Sequence, residues 1–364
     1  AGTHGRSIWI IDDLNLLRQY EDDITAEAAK LMTPRPTERI VPKIFEGVFG
    51  GSPGKNYMPT LGIVAAYTEQ KTDENQQELT FLDSGENPTK GAIITYWLAD
   101  KPADGDLTLS IHDSDDQLVR SFTMMTEAHR QAQEENPDQP KPVYLPAQAG
   151  WNRFVWDLRT EEATRISHTD PQAGHVRGAL VPFDTYKITL NVNGHALTET
   201  LEVVSDSFSD PDPADIQAQH DLMIQIRDLF DTAVTHTLKL REMRAQLDQW
   251  MARLEKSEAT HELYQQVKDL REALFAVEKQ FIHPNLKEGW RGMLNQGAQL
   301  LPKIAGLPAV VECGDYKPTD QAYAVYEQLC EDVNQATSKM DHLVATQLTA
   351  VNQAIADSDV AIIG

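Results

Sequence analysis

Apolar positions along this chain follow two periods, and the change between them falls near residue 206. Before it, large apolar residues alternate with polar ones, as in Ala92–Leu98, Asp106–His112, Leu118–Phe122, Tyr186–Val192 and Thr198–Val204. Period-two alternation places one side of each segment against a core and predicts half-buried strands. Asn193-Gly194 separates the last two of these segments and predicts a two-residue hairpin turn. In Trp151–Arg159, Phe154, Trp156 and Leu158 alternate with Arg153, Val155 and Asp157, so one face of a further strand carries the bulky groups. Strands of this number and spacing predict a β-sandwich over residues 85–206.

The second period begins after Asp210-Pro211-Asp212-Pro213. Asp212 suits a helix N-cap, Pro213 the first turn, and Asp215 the positive end of the helix dipole. Beyond it, Ile226, Ala233, Leu240, Leu247 and Leu254 recur every seventh residue, interleaved with Leu222, Leu229, His236, Met243 and Trp250. Together they predict the apolar seam of one long helix. A second helix carries Leu263, Val267, Leu270, Leu274, Val277 and Phe281 and ends before His283-Pro284. A last one is capped by Thr319 and carries Ala322, Tyr326, Leu329, Val333, Ala336, Met340 and Leu343. Short connections make an antiparallel helical bundle over residues 207–364 the simplest closure. Stripes of similar length satisfy one another within the chain; the alternative is a homodimer, or docking on a larger envelope complex.

The N-terminal part is less regular. Gly2-Thr3-His4-Gly5-Arg6 is a glycine-punctuated turn feeding Ser7–Ile11, a β-rich segment with no partner strand nearby. Residues 13–34 read as a connector with a short helix at Ile24–Met32, stopped by Pro34 and Pro36. Residues 35–84 read as an irregular wrapping segment with one strand at Gly62–Tyr67. The acidic run Asp113–Gln117 reads as a turn stabilised by Asp side chains, since it lacks the glycine and terminal glutamate of a calcium loop.

A formal net charge of −24 argues against a nucleic-acid partner, which requires clustered Lys and Arg. The acidity reads first as a solvated, self-repelling surface. Cys313 and Cys330 are too few for a disulfide framework and wrongly spaced for zinc; Cys330 falls on the inner side of the last helix. No apolar run is long enough to span a bilayer. Phosphate-loop, nucleophile-elbow, His-Glu-x-x-His and Cys-x-x-Cys motifs do not occur, so the sequence assigns no catalytic residue, cofactor or metal ligand. His236 occupies a seam position, where a hydrogen-bonded core histidine is the simpler reading than a ligand.

Two phrases carry a family resemblance. Gly2-Thr3-His4-Gly5-Arg6-Ser7-Ile8-Trp9-Ile10-Ile11-Asp12 resembles the closing repeat of bacterial sortilin-like (VPS10-type, BNR-repeat) β-propellers, often labelled glycosyl hydrolases. Gly150-Trp151-Asn152-Arg153-Phe154-Val155-Trp156-Asp157 resembles a later phrase of that family, shared with the hook-cap type of immunoglobulin-like module. The resemblance covers nearly the whole chain, loosely outside these motifs. It implies four parts: a last propeller strand and connector in 1–34, a wrapping segment in 35–84, an immunoglobulin or fibronectin-III-like sandwich in 85–206, and the bundle in 207–364.

It also implies that the chain is the C-terminal region of an exported protein, periplasmic, outer-membrane-associated or extracellular. Its first partner is then the missing N-terminal propeller, contacted through His4, Arg6, Ile8, Trp9 and Ile10. The function implied is non-catalytic support of peptide or glycan binding by the propeller. The alternative is an accessory, carbohydrate-facing region of a glycoside hydrolase, touching glycan through Trp97 or Trp151, with any catalytic carboxylates in the absent blades.

Overall fold

A computed structural model describes residues 13–21, 24–41, 54–60, 63–82, 89–137, 141–166, 173–254, 261–283, 297–358 and 360. It is a mixed β and α protein. Its contacts group the described residues into two units. One draws on 1–161, 179–220 and 313–317, the other on 162–178, 221–312 and 318–364.

The first unit contains the strands. Sheet one has the order β1 (Ala29–Leu31), β6 (Ala92–Leu98), β9 (Gly150–Trp156). Sheet two has the order β2 (Thr37–Arg39), β11 (His195–Ser205), β10 (Asp184–Val192), β7 (Leu107–His112), β8 (Leu118–Thr123). Alternation in the sequence becomes alternation in burial: β6 is buried at Ala92, Ile94, Tyr96 and Leu98 and half-buried between them. The inner faces of both sheets merge in one core, in which Ile94, Phe154 and Trp156 meet Leu109, Ile188 and Leu201. Within it the rings of Phe122 and Phe154 lie 4.6 Å apart and those of Trp156 and Tyr186 5.7 Å apart.

Trp156 has no exposed surface, and its indole Nε1 donates to the Arg159 carbonyl at 2.9 Å. A buried indole N–H needs such a partner. Gly91 faces the same strand end at φ +110°, where a Cβ would lie 2.2 Å from the Trp156 carbonyl oxygen, so only glycine fits. The hairpin turn forms as read: Val192 pairs with His195, and Asn193 and Gly194 take φ of 49° and 84°. The Asp113 carboxylate accepts from the backbone N–H groups of Asp115 and Gln117, which makes the acidic run a turn closed by its own side chain.

Two expectations for the N-terminal part are corrected. Ile24–Met32 is not a helix: a single 3-10 turn, Ile24–Ala26, is followed by strand β1. Ala29, Lys30 and Leu31 pair with Leu98, Trp97 and Tyr96, and Leu31 enters the core, so cross-strand hydrogen bonds and burial outweigh local helix propensity. Residues 35–84 are not irregular throughout. Besides β2 they hold an antiparallel sheet of β3 (Gly54–Thr60), β4 (Ile63–Lys71) and β5 (Gln77–Phe81). The strand read at Gly62–Tyr67 is β4, longer than expected. Its neighbours were hidden because β5, Gln-Glu-Leu-Thr-Phe, is mostly polar. Polar residues 126–142 also contain a helix, α2 (Glu127–Glu135), opened by a capping box between Thr126 and His129; a shorter one, α1 (Asn15–Gln19), precedes it.

The second unit is helical. Its elements are most of α3 (Pro213–Leu254), then α4 (His261–Phe281), α5 (Leu300–Gly306), α6 (Pro308–Val311), α7 (Asp320–Leu343), a π turn at Val344–Leu348, and α8 (Thr349–Ala356). At the start of α3 the Asp212 side chain accepts from the Ala214 N–H at 2.9 Å, and Thr319 caps α7 through the Ala322 N–H at 3.2 Å. Both caps were legible. Arg271 pairs with Asp248, and Glu278 with Arg241 and Arg244, so residue numbers fall on α3 as they rise on α4 and the two helices are antiparallel.

On α3 the column Ile226, Ala233, Leu240, Leu247 and Leu254 is buried as expected. The interleaved column is displaced. Leu222 is buried, but Leu229, His236, Met243 and Trp250 are half-buried, while Met223, Phe230 and Thr237 are fully buried. Arg244 continues that inner column and points its guanidinium at Glu278.

Candidate binding face

The clearest concentration of chemistry on the first unit is the outer side of the β1–β6–β9 sheet. Alternation sends Tyr96, Phe154 and Trp156 inward, which obliges Trp97, Trp151 and Arg153 to face outward. Trp97 and Trp151 are directly opposite each other on β6 and β9. Their ring centroids are 5.5 Å apart with planes inclined at 66°, an edge-to-face corner. Trp151 is 38% exposed.

The rest of the face is polar and rich in donors. Lys30 is directly across from Trp97 on β1, so one row of the sheet reads Lys30, Trp97, Trp151. Its ammonium meets the Glu27 carboxylate at 3.0 Å at the solvent-facing margin. The next row pairs Thr95 with Arg153, whose guanidinium donates to the Thr89 hydroxyl at 3.0 Å. Helix α1 (Asn15–Gln19) borders this face: its last residue, Gln19, holds Thr33 by two bonds, donating to its carbonyl at 2.8 Å and accepting from its N–H at 2.9 Å. A small hollow beside Thr95 and Ile93 is lined by Asp13, Asn15 and Met32.

The two tryptophans singled out from sequence are therefore brought together, which their separate motifs did not show. His4, Arg6, Ile8, Trp9 and Ile10 lie outside the described residues, as do residues 284–296. His236 is half-buried on α3 and its Nδ1 lies 2.7 Å from the Thr232 carbonyl, a bond within its own helix turn. Cys330 is half-buried. Among the described residues, no three His, Cys, Asp or Glu side chains converge as a metal site, and no helix is long and apolar enough to cross a membrane.

Two charged centres escaped sequence reading. Arg39, with no exposed surface, donates from Nε to the Val181 carbonyl at 3.0 Å, from one Nη to Gln219 Oε1 at 2.8 Å, and from the other to Asp315. Gln219 in turn donates to the Gly314 carbonyl at 2.7 Å. In the helical unit, Glu278 is 1% exposed and receives Arg241 at 3.0 Å together with Arg244. Phe275 lies among cations there, with the Arg244 guanidinium carbon 4.1 Å and the Lys279 Nζ 5.0 Å from its centroid. The one signal for Glu278 was Arg244, a charge in an inward heptad column that demands an opposite charge facing it. For Arg39 no local signal exists, because its partners come from distant parts of the sequence. Both centres set opposite charges against each other inside the protein, so they hold structure, whereas the Trp97–Trp151 corner brings Trp151 to the surface.

Compared with protein-family models, curated proteins and solved structures, the chain matches none.

Proposed function

We propose that the chain is a non-catalytic interaction region of an exported sortilin-like propeller protein, placed beside a propeller that binds peptide or glycan. The observation that carries the reading is the order of two phrases, Gly2–Asp12 and Gly150–Asp157, which resemble that family's closing propeller repeat and its later sandwich strand. On this reading the two-sheet part of the first unit is an immunoglobulin or fibronectin-III-like support module. Residues 1–12 complete the propeller, and His4, Arg6, Ile8, Trp9 and Ile10 contact it. The helical unit closes on itself, with a homodimer or an envelope complex as the wider assembly.

The Trp97–Trp151 pair, in which Trp151 is exposed and Trp97 half-buried beside it, favours a second reading, an accessory carbohydrate-facing region of a glycoside hydrolase whose catalytic residues lie in the propeller. One experiment serves both. The propeller-bearing protein is assayed against polysaccharides and peptides beside a version lacking the propeller. Support without catalysis expects binding and no turnover by either protein. The hydrolase reading expects polysaccharide turnover by the whole protein, lost with the propeller. Turnover that survives propeller deletion overturns both.

A further inference from the structure

The outward face of the β1–β6–β9 sheet holds more than a support module needs. A sheet side that meets water is ordinarily polar, with apolar residues scattered singly. Here two indoles sit directly opposite each other, and Trp151 keeps 38% of its surface exposed. We propose that this face binds an uncharged, hexose-based glycan, the Trp97–Trp151 corner packing on the C–H faces of the sugar and Lys30, Thr95 and Arg153 meeting its hydroxyl and ring oxygens. The proposal rests on the carbohydrate-facing reading and names the class of ligand.

Three features select that class. An indole presents an electron-rich face, which attracts the polarised C–H groups of a pyranose and excludes water between them. The polar side chains on this row and the next are strong donors: Lys brings three N–H groups, Arg five, and Thr one hydroxyl. Such a row calls for a ligand rich in neutral oxygen acceptors, which an apolar protein surface lacks. Finally, the net charge of −24 sets a repulsive field against a polyanion, while Lys30 is already engaged by Glu27 at 3.0 Å. A uronate or sulfated chain is therefore disfavoured relative to a neutral one.

The test is electrophoresis of the full chain through native gels containing laminarin, mixed-linkage β-glucan or galactomannan, with alginate as the anionic comparison. Tryptophan fluorescence is followed in parallel on addition of the corresponding hexasaccharides. Retardation in at least one neutral gel is expected, together with a fluorescence change that saturates. Trp151→Ala should weaken the affinity about tenfold or more, the equivalent of about 1.4 kcal/mol. Trp151→Phe, which keeps an aromatic face, should recover part of it. Arg153→Gln, which cannot upset a buried pair, should weaken it less than Trp151→Ala, and unchanged thermal unfolding of each variant separates lost binding from lost folding. No retardation in any neutral gel, retardation by alginate alone, or affinity indifferent to Trp151→Ala would each overturn the proposal. None of these bears on whether the propeller-bearing protein turns over substrate, so failure here is distinct from failure of the accessory reading.

Discussion

Arg39 shows how much a single residue can bind together. Its guanidinium has no contact with solvent and serves a main-chain carbonyl, an amide and the Asp315 carboxylate at once. Removing one partner of a buried ion pair leaves the other charge and its hydrogen-bonding groups without compensation. Arg39→Met is therefore expected to cost about 3–5 kcal/mol, read as a fall in the denaturant midpoint; an unchanged midpoint would show that Asp315 and Gln219 find water instead. A surface pair behaves differently. Lys187 hydrogen-bonds Asp116 and, by that bond and its charge, holds the carboxyl below its ordinary range. A carboxylate with a lowered folded pKa contributes stability that is present above its unfolded pKa and is lost as pH falls through the folded one. Lys187→Met should thus return the Asp116 titration, followed by carboxyl NMR, toward the usual value near ~3.9. No movement of that curve would refute the assignment.

At the scale of elements, helix ends and seams differ in how far local sequence controls them. Thr319 caps α7 by accepting from the Ala322 N–H, a bond made within one turn and so readable from spacing alone. Thr319→Ala should cost about 1 kcal/mol, whereas Thr319→Ser should leave the thermal midpoint nearly in place. Equal losses from both would argue that the methyl group, not the oxygen, matters. The seam of α3 was only half readable. One column was identified by its leucines, but the other runs through Met223, Phe230, Thr237 and Arg244, and its last two members are polar. A hydrophobicity rule passes over Thr237, which is buried because its hydroxyl bonds the Ala233 carbonyl at 2.8 Å, and Arg244, which faces Glu278. It chose the half-buried Leu229 and Met243 instead.

For the molecule as a whole, the excess of acidic groups acts on every element at once and belongs to none of them. With a net charge of −24, folding concentrates like charges that the unfolded chain keeps farther apart. Raising ionic strength shortens the Debye length from about 30 Å at 0.01 M to about 10 Å at 0.1 M, which screens that repulsion. The thermal midpoint should therefore rise between those salt concentrations in a calorimetric scan. A falling midpoint would mean that favourable ion pairs such as Arg241–Glu278 and Arg271–Asp248 outweigh the general field.

The sequence by itself determined where strands give way to helices, which residues cap α3 and α7, the Asn193-Gly194 hairpin, and the burial of Phe154, Trp156 and Leu240. Each is a matter of period or of bonds between near neighbours, and a short stretch of chain already contains both. Only the tertiary structure decided that Ala29–Leu31 is a strand, since its hydrogen-bond partners on β6 are supplied from far along the chain. It also decided that Arg39 meets Asp315, that Thr237 and Arg244 turn inward, and that Trp97 and Trp151 share one row on the outer side of their sheet. These depend on register and long-range pairing, in which a polar residue can be buried once a distant partner satisfies it.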